Sequence, residues 1–209
     1  MYSQLDEEKY ILEFFGTNTH GRFLDVGAFD GKIFSNTRAL FERGWGGVLV
    51  EASPKCFVKL QELYEGVERV KLVCACVLPQ VHEPVARFLD NTGAVATTLD
   101  AHAKLWEEST YKMQFTEIFV GAVTLADLIS KFGPFDFINI DLEGISEAVL
   151  MDAQQLWNWL SRCQLLCVER DGEAGVTQML APYGFSVIKE FPEGGNTLYG
   201  RAKPCSSVS

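Results

Sequence analysis

Apolar positions along the chain switch between helical and strand spacing, and each switch marks a predicted element. Leu5, Ile11, Leu12 and Phe15 recur at helical intervals and predict a helix over 4–15, capped by Ser3. RFLDVG (22–27) reads as a short apolar strand that breaks at a glycine, followed by a helix over 35–43 closed by Gly44. GVLVEA (47–52) is a second strand, Pro54 opens a helix running to Tyr64, and VKLVCACV (70–77) is a third strand.

From 78 to 121 the pattern loosens into a strand at VARFL, a small-residue loop at NTGAVATT, a helical patch at AHAKLWEE and a strand near EIFVGAV. An excursion of this length at the ligand edge of a sheet predicts a cover over an acceptor pocket. Regular order returns with TLADLISKFG, a helix closed by Gly133. PFDFINIDLEG is then a buried strand ending in acids, 147–160 a helix, and LLCVERD a strand with Glu169 at its end. After a helix over 174–181, FSVIKEF and NTLYGRA are joined by PEGG, a connection short enough to force antiparallel pairing. The alternation predicts an α/β fold: a mostly parallel seven-stranded sheet, covered on both faces, with a C-terminal antiparallel hairpin and an insertion after strand three. A single domain is expected over 1–203, with a disordered tail at 204–209.

Composition narrows the function. The chain has 209 residues, 47% of them apolar, enough for one sizeable core. Its net charge of −10, without a basic cluster, argues against nucleic acid or an anionic membrane as partner. MYSQLDEEKY has neither the basic nor the apolar region of a signal peptide, and no stretch is long enough to cross a bilayer, so a cytoplasmic location is expected. The six cysteines form no C-x-x-C pair and read as buried reduced thiols, with Cys74 and Cys76 on one face of the third strand.

Residues 25–31 spell D-x-G-x-x-D-G rather than the G-x-G-x-x-G of a dinucleotide site. Asp25 and Asp30 would repel a pyrophosphate but suit a cationic nucleoside, and S-adenosylmethionine carries both a sulfonium and an ammonium. Gly27 and Gly31 admit a close backbone approach, and Glu51, at the end of the second strand, is placed to bind ribose hydroxyls.

The segments YSQLDEE, FLDVGAFDGKIFSNT, GWGGVLVEASP, FINIDLEGISEAVL and NTLYG resemble, in order, the FkbM-type family of S-adenosylmethionine-dependent methyltransferases. The resemblance implies a class I methyltransferase Rossmann-like fold and methyl transfer, usually to a hydroxyl of a sugar or natural product. It implies that Asp25, Gly27, Ala28, Asp30 and Gly31 surround the methionine part of the cofactor, with Ser35 and Asn36 shaping that loop. Glu51 would hold the ribose, Ala52 or Ser53 would line the adenine edge, and the end of strand three, near Cys76 and Val77, would add a further adenine contact. Asp141 and Glu143 of DLEG would lie beside the transferred methyl.

A base for the acceptor hydroxyl has three candidates: Asp141, Glu143 and, from the insertion, His102. Each also has a plain structural use, Asp141 as a helix cap, Glu143 as a partner of turn amides and His102 as an exposed helix residue. Asp141 and Glu169 end neighbouring strands and offer a site for Mg²⁺, but Arg170 follows Glu169 and is expected to pair with an acid, so no resident metal is expected. The expected partner is a small hydroxylated acceptor. Two other readings stand beside this one: a nucleotide-dependent oxidoreductase, which lacks its third glycine and a Tyr-x-x-x-Lys dyad, and a catalytically silent cofactor-binding domain. The sequence leaves the oligomeric state open.

Overall fold

The computed structural model describes residues 1–153, 162–172, 175–192 and 195–201. Strands β1 (Arg22–Val26), β2 (Gly46–Glu51) and β3 (Val70–Cys74) come first in the chain, then β4 (Cys76–Leu78), β5 (Val85–Asp90) and β6 (Thr116–Thr124). β7 (Phe137–Ile140), β8 (Leu165–Glu169), β9 (Phe185–Glu190) and β10 (Asn196–Arg201) follow. The main sheet has seven strands in the order β3-β2-β1-β7-β8-β10-β9. Every pairing from β3 to β8 is parallel, and β10 runs antiparallel to both β8 and β9. The expected hairpin is therefore present, with its second strand inserted next to β8.

Residues alternate across the sheet as strand geometry requires. Leu24, Val26, Val48, Val50, Ile138 and Ile140 enter one core cluster, while Phe23, Leu49, Phe137 and Leu165 enter another. On the second face, a polar row crosses the sheet. Asp25 pairs in register with Asn139, and Asn139 with Cys167. Asn139 Nδ2 donates to Asp25 Oδ1 at 2.9 Å, Thr37 Oγ1 donates to Asp25 Oδ2 at 2.5 Å, and Asn36 Nδ2 donates to Asn139 Oδ1 at 3.0 Å. The row ties the segment after β1 to the sheet, because buried polar groups must find partners.

The helices are α1 (Glu7–Phe15), α2 (Arg38–Glu42), α3 (Pro54–Leu63), α4 (Asp100–Glu108), α5 (Leu125–Phe132), α6 (Ser146–Asp152) and α7 (Val176–Leu180). α1 begins at Glu7 rather than residue 4. Ser3 Oγ accepts from Glu8 N–H at 3.1 Å, and Leu5 is left 36% exposed instead of entering the core. α2 starts three residues later than expected because Ser35 Oγ accepts from the N–H groups of Thr37 and Arg38, closing a turn over 35–37. α3 follows the expectation, with Pro54 in its first turn and Ser53 Oγ accepting from Cys56 N–H. α5 carries a capping box between Thr124 and Asp127. The remainder of the helix expected over 147–160, the start of the one over 174–181, part of the PEGG connection and the 204–209 tail lie outside the described residues.

The expected third strand is broken. Ala75 N–H makes the last rung to β2, donating to the Glu51 carbonyl at 3.1 Å, and from Cys76 the chain pairs instead with Ala122–Thr124, so β4 belongs to a separate sheet of order β4-β6-β5. Cys74 is exposed and Cys76 buried, contrary to the expected shared face. The insertion is thus a small sheet with α4 beside it. β6 runs parallel to β4 and antiparallel to β5.

Candidate functional site

The site lies at the carboxyl ends of β1, β2 and β7, where the strand order reverses direction and open α/β sheets bind their ligands. Gly27 leaves β1 with φ +82°, and its N–H donates to the Val50 carbonyl at 3.0 Å. A Cβ there would sit 1.8 Å from the Asp141 carbonyl oxygen, so the β1 and β7 turns press together at a point only glycine allows.

Glu51 braces two turns. Its Oε2 accepts from Phe29 N–H at 2.8 Å and its Oε1 from Ser53 N–H at 2.7 Å. Burial pushes its carboxyl up to about 7, opposed by those amides and assisted by nearby Asp90. Beside it, Ala52, Cys76, Val77, Phe88 and Ile145 line an apolar strip suited to a nucleobase. Asp25, Gly27, Ala28, Ser35 and Asn139 line the adjoining compartment on the other side of the Gly27 turn. Burial raises the Asp25 carboxyl, against the pull of Thr37 and Asn139. An acidic group at the end of β2, an apolar strip and a glycine turn together fit a nucleoside cofactor.

A larger cavity of about 620 Å³ opens over the same floor. Phe29, Phe34, His102, Trp106 and Tyr111 form its walls, and Asp141, Glu143 and Glu169 its base. The 78–121 segment supplies His102, Trp106 and Tyr111. Among the described residues the positive-φ non-glycine positions, Phe29, Phe34, Thr92, Lys112 and Glu143, all line this cavity or adjoin residues that do. Such strain persists where the surroundings over-determine it, and it gathers at binding sites.

The base is built on Glu169. Its Oε2 accepts from Leu142 N–H at 3.2 Å, Glu143 N–H at 2.8 Å and Ser146 Oγ at 2.7 Å, fixing the DLEG turn. The amide-binding expected of Glu143 is therefore performed by Glu169. Asp141 is not a helix cap either, since α6 begins at Ser146 and no side chain caps it. Burial, then Glu169 and Glu143, raise the Asp141 carboxyl well above its ordinary value. Burial, then Glu169 and Asp171, push Glu143 up to about 9. His102 Nε2 lies 3.6 Å from Glu143 Oε2, and burial holds the imidazole below its usual value.

Asp141, Glu143 and Glu169 each offer one oxygen within 4.8 Å of the others, a spacing that a hard cation can bridge. Arg170 does not pair with them as expected; its Nη2 donates to the Phe191 carbonyl on the far side of β8.

Most residues singled out in the sequence thus meet at one place: Asp25, Gly27, Ala28, Ser35, Glu51, Ala52, Cys76, Val77, Asp141, Glu143 and His102. Four do not line these spaces. Asp30 Oδ1 accepts from Lys32 and Ile33 N–H and closes a turn. Gly31 faces α3, where a Cβ would meet Leu60 Cδ2 at 2.6 Å. Asn36 is buried in the polar row, and Ser53 is the cap of α3. Sequence reasoning passed over Phe29, Phe34, Asn139 and the bracing role of Glu169. An apolar Ile33-Phe34 pair inside a polar turn was the available signal for the wall.

A sheet of this order, five parallel neighbours followed by an antiparallel β10 and the edge strand β9, with a crevice at its switch point that fits a nucleoside, is a class I methyltransferase fold. The model of the methyltransferase FkbM domain matches residues 25–184, and the chain belongs to that family. No curated protein matches the chain at a significant level. Among solved structures, HI0767 of Haemophilus influenzae, described as a methylase, is 12% identical with a TM-score of 0.50, covering 96% of this chain and 90% of its own. A SAM-dependent methyltransferase from Aquifex aeolicus is 15% identical, with a TM-score of 0.43 and coverage of 93% and 88%. The precorrin-6y C5,15-methyltransferase of Geobacter metallireducens is 12% identical, with a TM-score of 0.45 and coverage of 94% and 87%.

Proposed function

We propose that this methyltransferase moves a methyl group from S-adenosylmethionine to a hydroxyl oxygen of a small acceptor held in the 620 Å³ cavity. One observation carries the reading. Asp141 and Glu143 line the nucleobase strip, the compartment by Ser35 and the larger cavity alike, so all three spaces meet at the DLEG turn.

When bound, S-adenosylmethionine supplies an electrophilic methyl on a sulfonium and leaves as the neutral thioether. Glu51 would take the ribose hydroxyls, Cys76, Val77 and Phe88 the adenine, and the Gly27 to Phe29 turn the methionine part. The residues of the floor orient the acceptor oxygen in line with the breaking carbon–sulfur bond, and much of the acceleration comes from that alignment. As the oxygen–methyl bond forms, the hydroxyl proton passes to the neutral imidazole of His102, and the Glu143 carboxylate steadies the resulting imidazolium. Beside a sulfonium, Glu143 is drawn toward its ionised form.

Partners follow from the same surfaces. Among the described residues no Lys or Arg lines the three spaces, which argues for a small acceptor and against nucleic acid. No described helix is long and apolar enough to cross a membrane. Free Cys56, Cys74, Cys76, Cys163 and Cys167 support a reducing compartment, the cytoplasm. The test is incubation with labelled S-adenosylmethionine and a panel of sugars and phenols. Release of S-adenosylhomocysteine with label fixed on an acceptor oxygen supports the reading; label on nitrogen or carbon alone contradicts O-methylation.

A further inference from the structure

The larger cavity has an unbalanced lining. Its base carries three carboxyl groups, Asp141, Glu143 and Glu169, while no Lys or Arg among the described residues lines it. Buried carboxylates need a counter-charge or hydrogen-bond donors. Glu169 spends one oxygen on the DLEG turn, and no hydrogen bond holds the Asp141 carboxylate among the described residues. A sulfonium beside Asp141 would draw one of these carboxyls into its ionised form and leave the rest of the floor without a counter-charge.

A second, independent feature points the same way. Asn196 lines the cavity at the start of β10 and is only 5% exposed. Its Nδ2 donates to Glu7 Oε1 at 3.1 Å, and the other oxygen of Glu7 already accepts from Leu5 N–H at 2.9 Å. Glu7 can only accept, so the amide is fixed with Oδ1 turned away, and that oxygen has no partner among the described residues. The pocket thus presents acceptors and asks its ligand for donors.

The walls complete the pattern. The rings of Trp106 and Tyr111 lie 6.0 Å apart, those of His102 and Trp106 lie 6.5 Å apart, and Phe34 adds an exposed ring at the mouth. Aromatic faces next to carboxylates attract organic cations.

We infer that the methyl acceptor carries a protonated amine in addition to the hydroxyl that is methylated, the chemistry of an amino sugar or other cyclic amino alcohol. The inference rests on the reading of this cavity as the acceptor site. The ammonium sits between the carboxyl floor and the Trp106 and Tyr111 rings, and the acceptor's remaining donors face the floor and Asn196. Phosphorylated or carboxylated acceptors meet like charge and are refused.

The experiment uses three probes that share one ring and differ in charge: trans-2-aminocyclohexanol, trans-1,2-cyclohexanediol and 2-hydroxycyclohexanecarboxylate. Each is titrated calorimetrically into the full chain saturated with S-adenosylhomocysteine. The amine is expected to bind about ten-fold tighter than the diol, with the carboxylate weakest, a preference of the size that desolvated cation–aromatic contacts provide. Trp106→Leu, which keeps an apolar wall, should cut that preference to about three-fold, and Glu143→Gln should cut it independently. Equal binding of amine and diol, tighter binding of the carboxylate, or no binding of any probe to the loaded protein overturns the inference. Failure of S-adenosylhomocysteine itself to bind is a different result and removes the methyltransferase reading beneath it.

Discussion

Glu143 stands with its Oε2 3.6 Å from Nε2 of His102, bringing the turn after β7 against a helix of the insertion. The pairing joins a strand end, where such folds keep their chemistry, to the 78–121 segment. If this pair handles the acceptor proton, Glu143→Gln should leave the affinity for S-adenosylhomocysteine, which has no sulfonium, within about two-fold and slow turnover about 100-fold, within the range for general acid–base groups. His102→Asn should behave alike. Unchanged turnover in both variants, measured by S-adenosylhomocysteine release, would return the pair to a packing role.

The contact between Gly27 and the Asp141 carbonyl gives a sharper mutational test. Gly27→Ala places a methyl 1.8 Å from that oxygen at a φ of +82°, so the β1 and β7 turns must separate. A loss of about 2 kcal/mol or more is expected from overpacking and backbone strain combined. Thermal melts should show the lowered stability, and calorimetry should show S-adenosylmethionine binding lost with it.

Glu51 and Asp30 form a contrasting pair. Glu51→Ala removes the brace on Phe29 and Ser53 as well as the ribose partner, and should weaken S-adenosylmethionine binding by about 1.5–3 kcal/mol, the range for hydrogen bonds to a charged group. Asp30→Ala disturbs only its own turn amides and should leave affinity within about 0.5 kcal/mol, as at other surface positions. Equal losses in the two variants would count against the placement of the ribose at Glu51.

The raised carboxyls set a pH dependence. Glu51 and Asp171 are held at about 7 and Glu143 at about 9, above ordinary values of 4.5, 3.8 and 4.5. Each favours folding while protonated in the native state, so the contribution is complete below pH about 4 and is lost as pH rises through 7 and then 9. The ligand-free protein should therefore melt at lower temperature at pH 9 than at pH 5. Glu143→Gln should flatten the upper part of that fall, between pH 7 and 9. A melting temperature that climbs from pH 5 to 9 would contradict these shifts.

Much of this was legible in the chain because local rules and global fold agree there. The break of RFLDVG at Gly27, the strand ending in Glu51 and the acids closing FINIDLEG each place a residue by period and turn chemistry, and the structure assembles them at one edge. The illegible part depends on long-range geometry. VKLVCACV carries no Gly or Pro to announce its break; the strand divides because Cys76–Leu78 pairs with Ala122–Thr124 of β6, a partner far along the chain. Asp30 and Asn36 carry the right chemistry for ligands, yet their side chains are occupied by a turn and by the polar row. Arg170 follows an acid in sequence, but its Nη2 donates to the Phe191 carbonyl.

The central claim is that the crevice between Gly27, Glu51 and Asp141 holds S-adenosylmethionine. Calorimetric titration of the purified chain with S-adenosylmethionine and, separately, with NAD, each repeated in EDTA, tests it most directly. The predicted result is micromolar binding of S-adenosylmethionine, none of NAD, and no change on chelation; binding of NAD, or of neither ligand, would contradict the account.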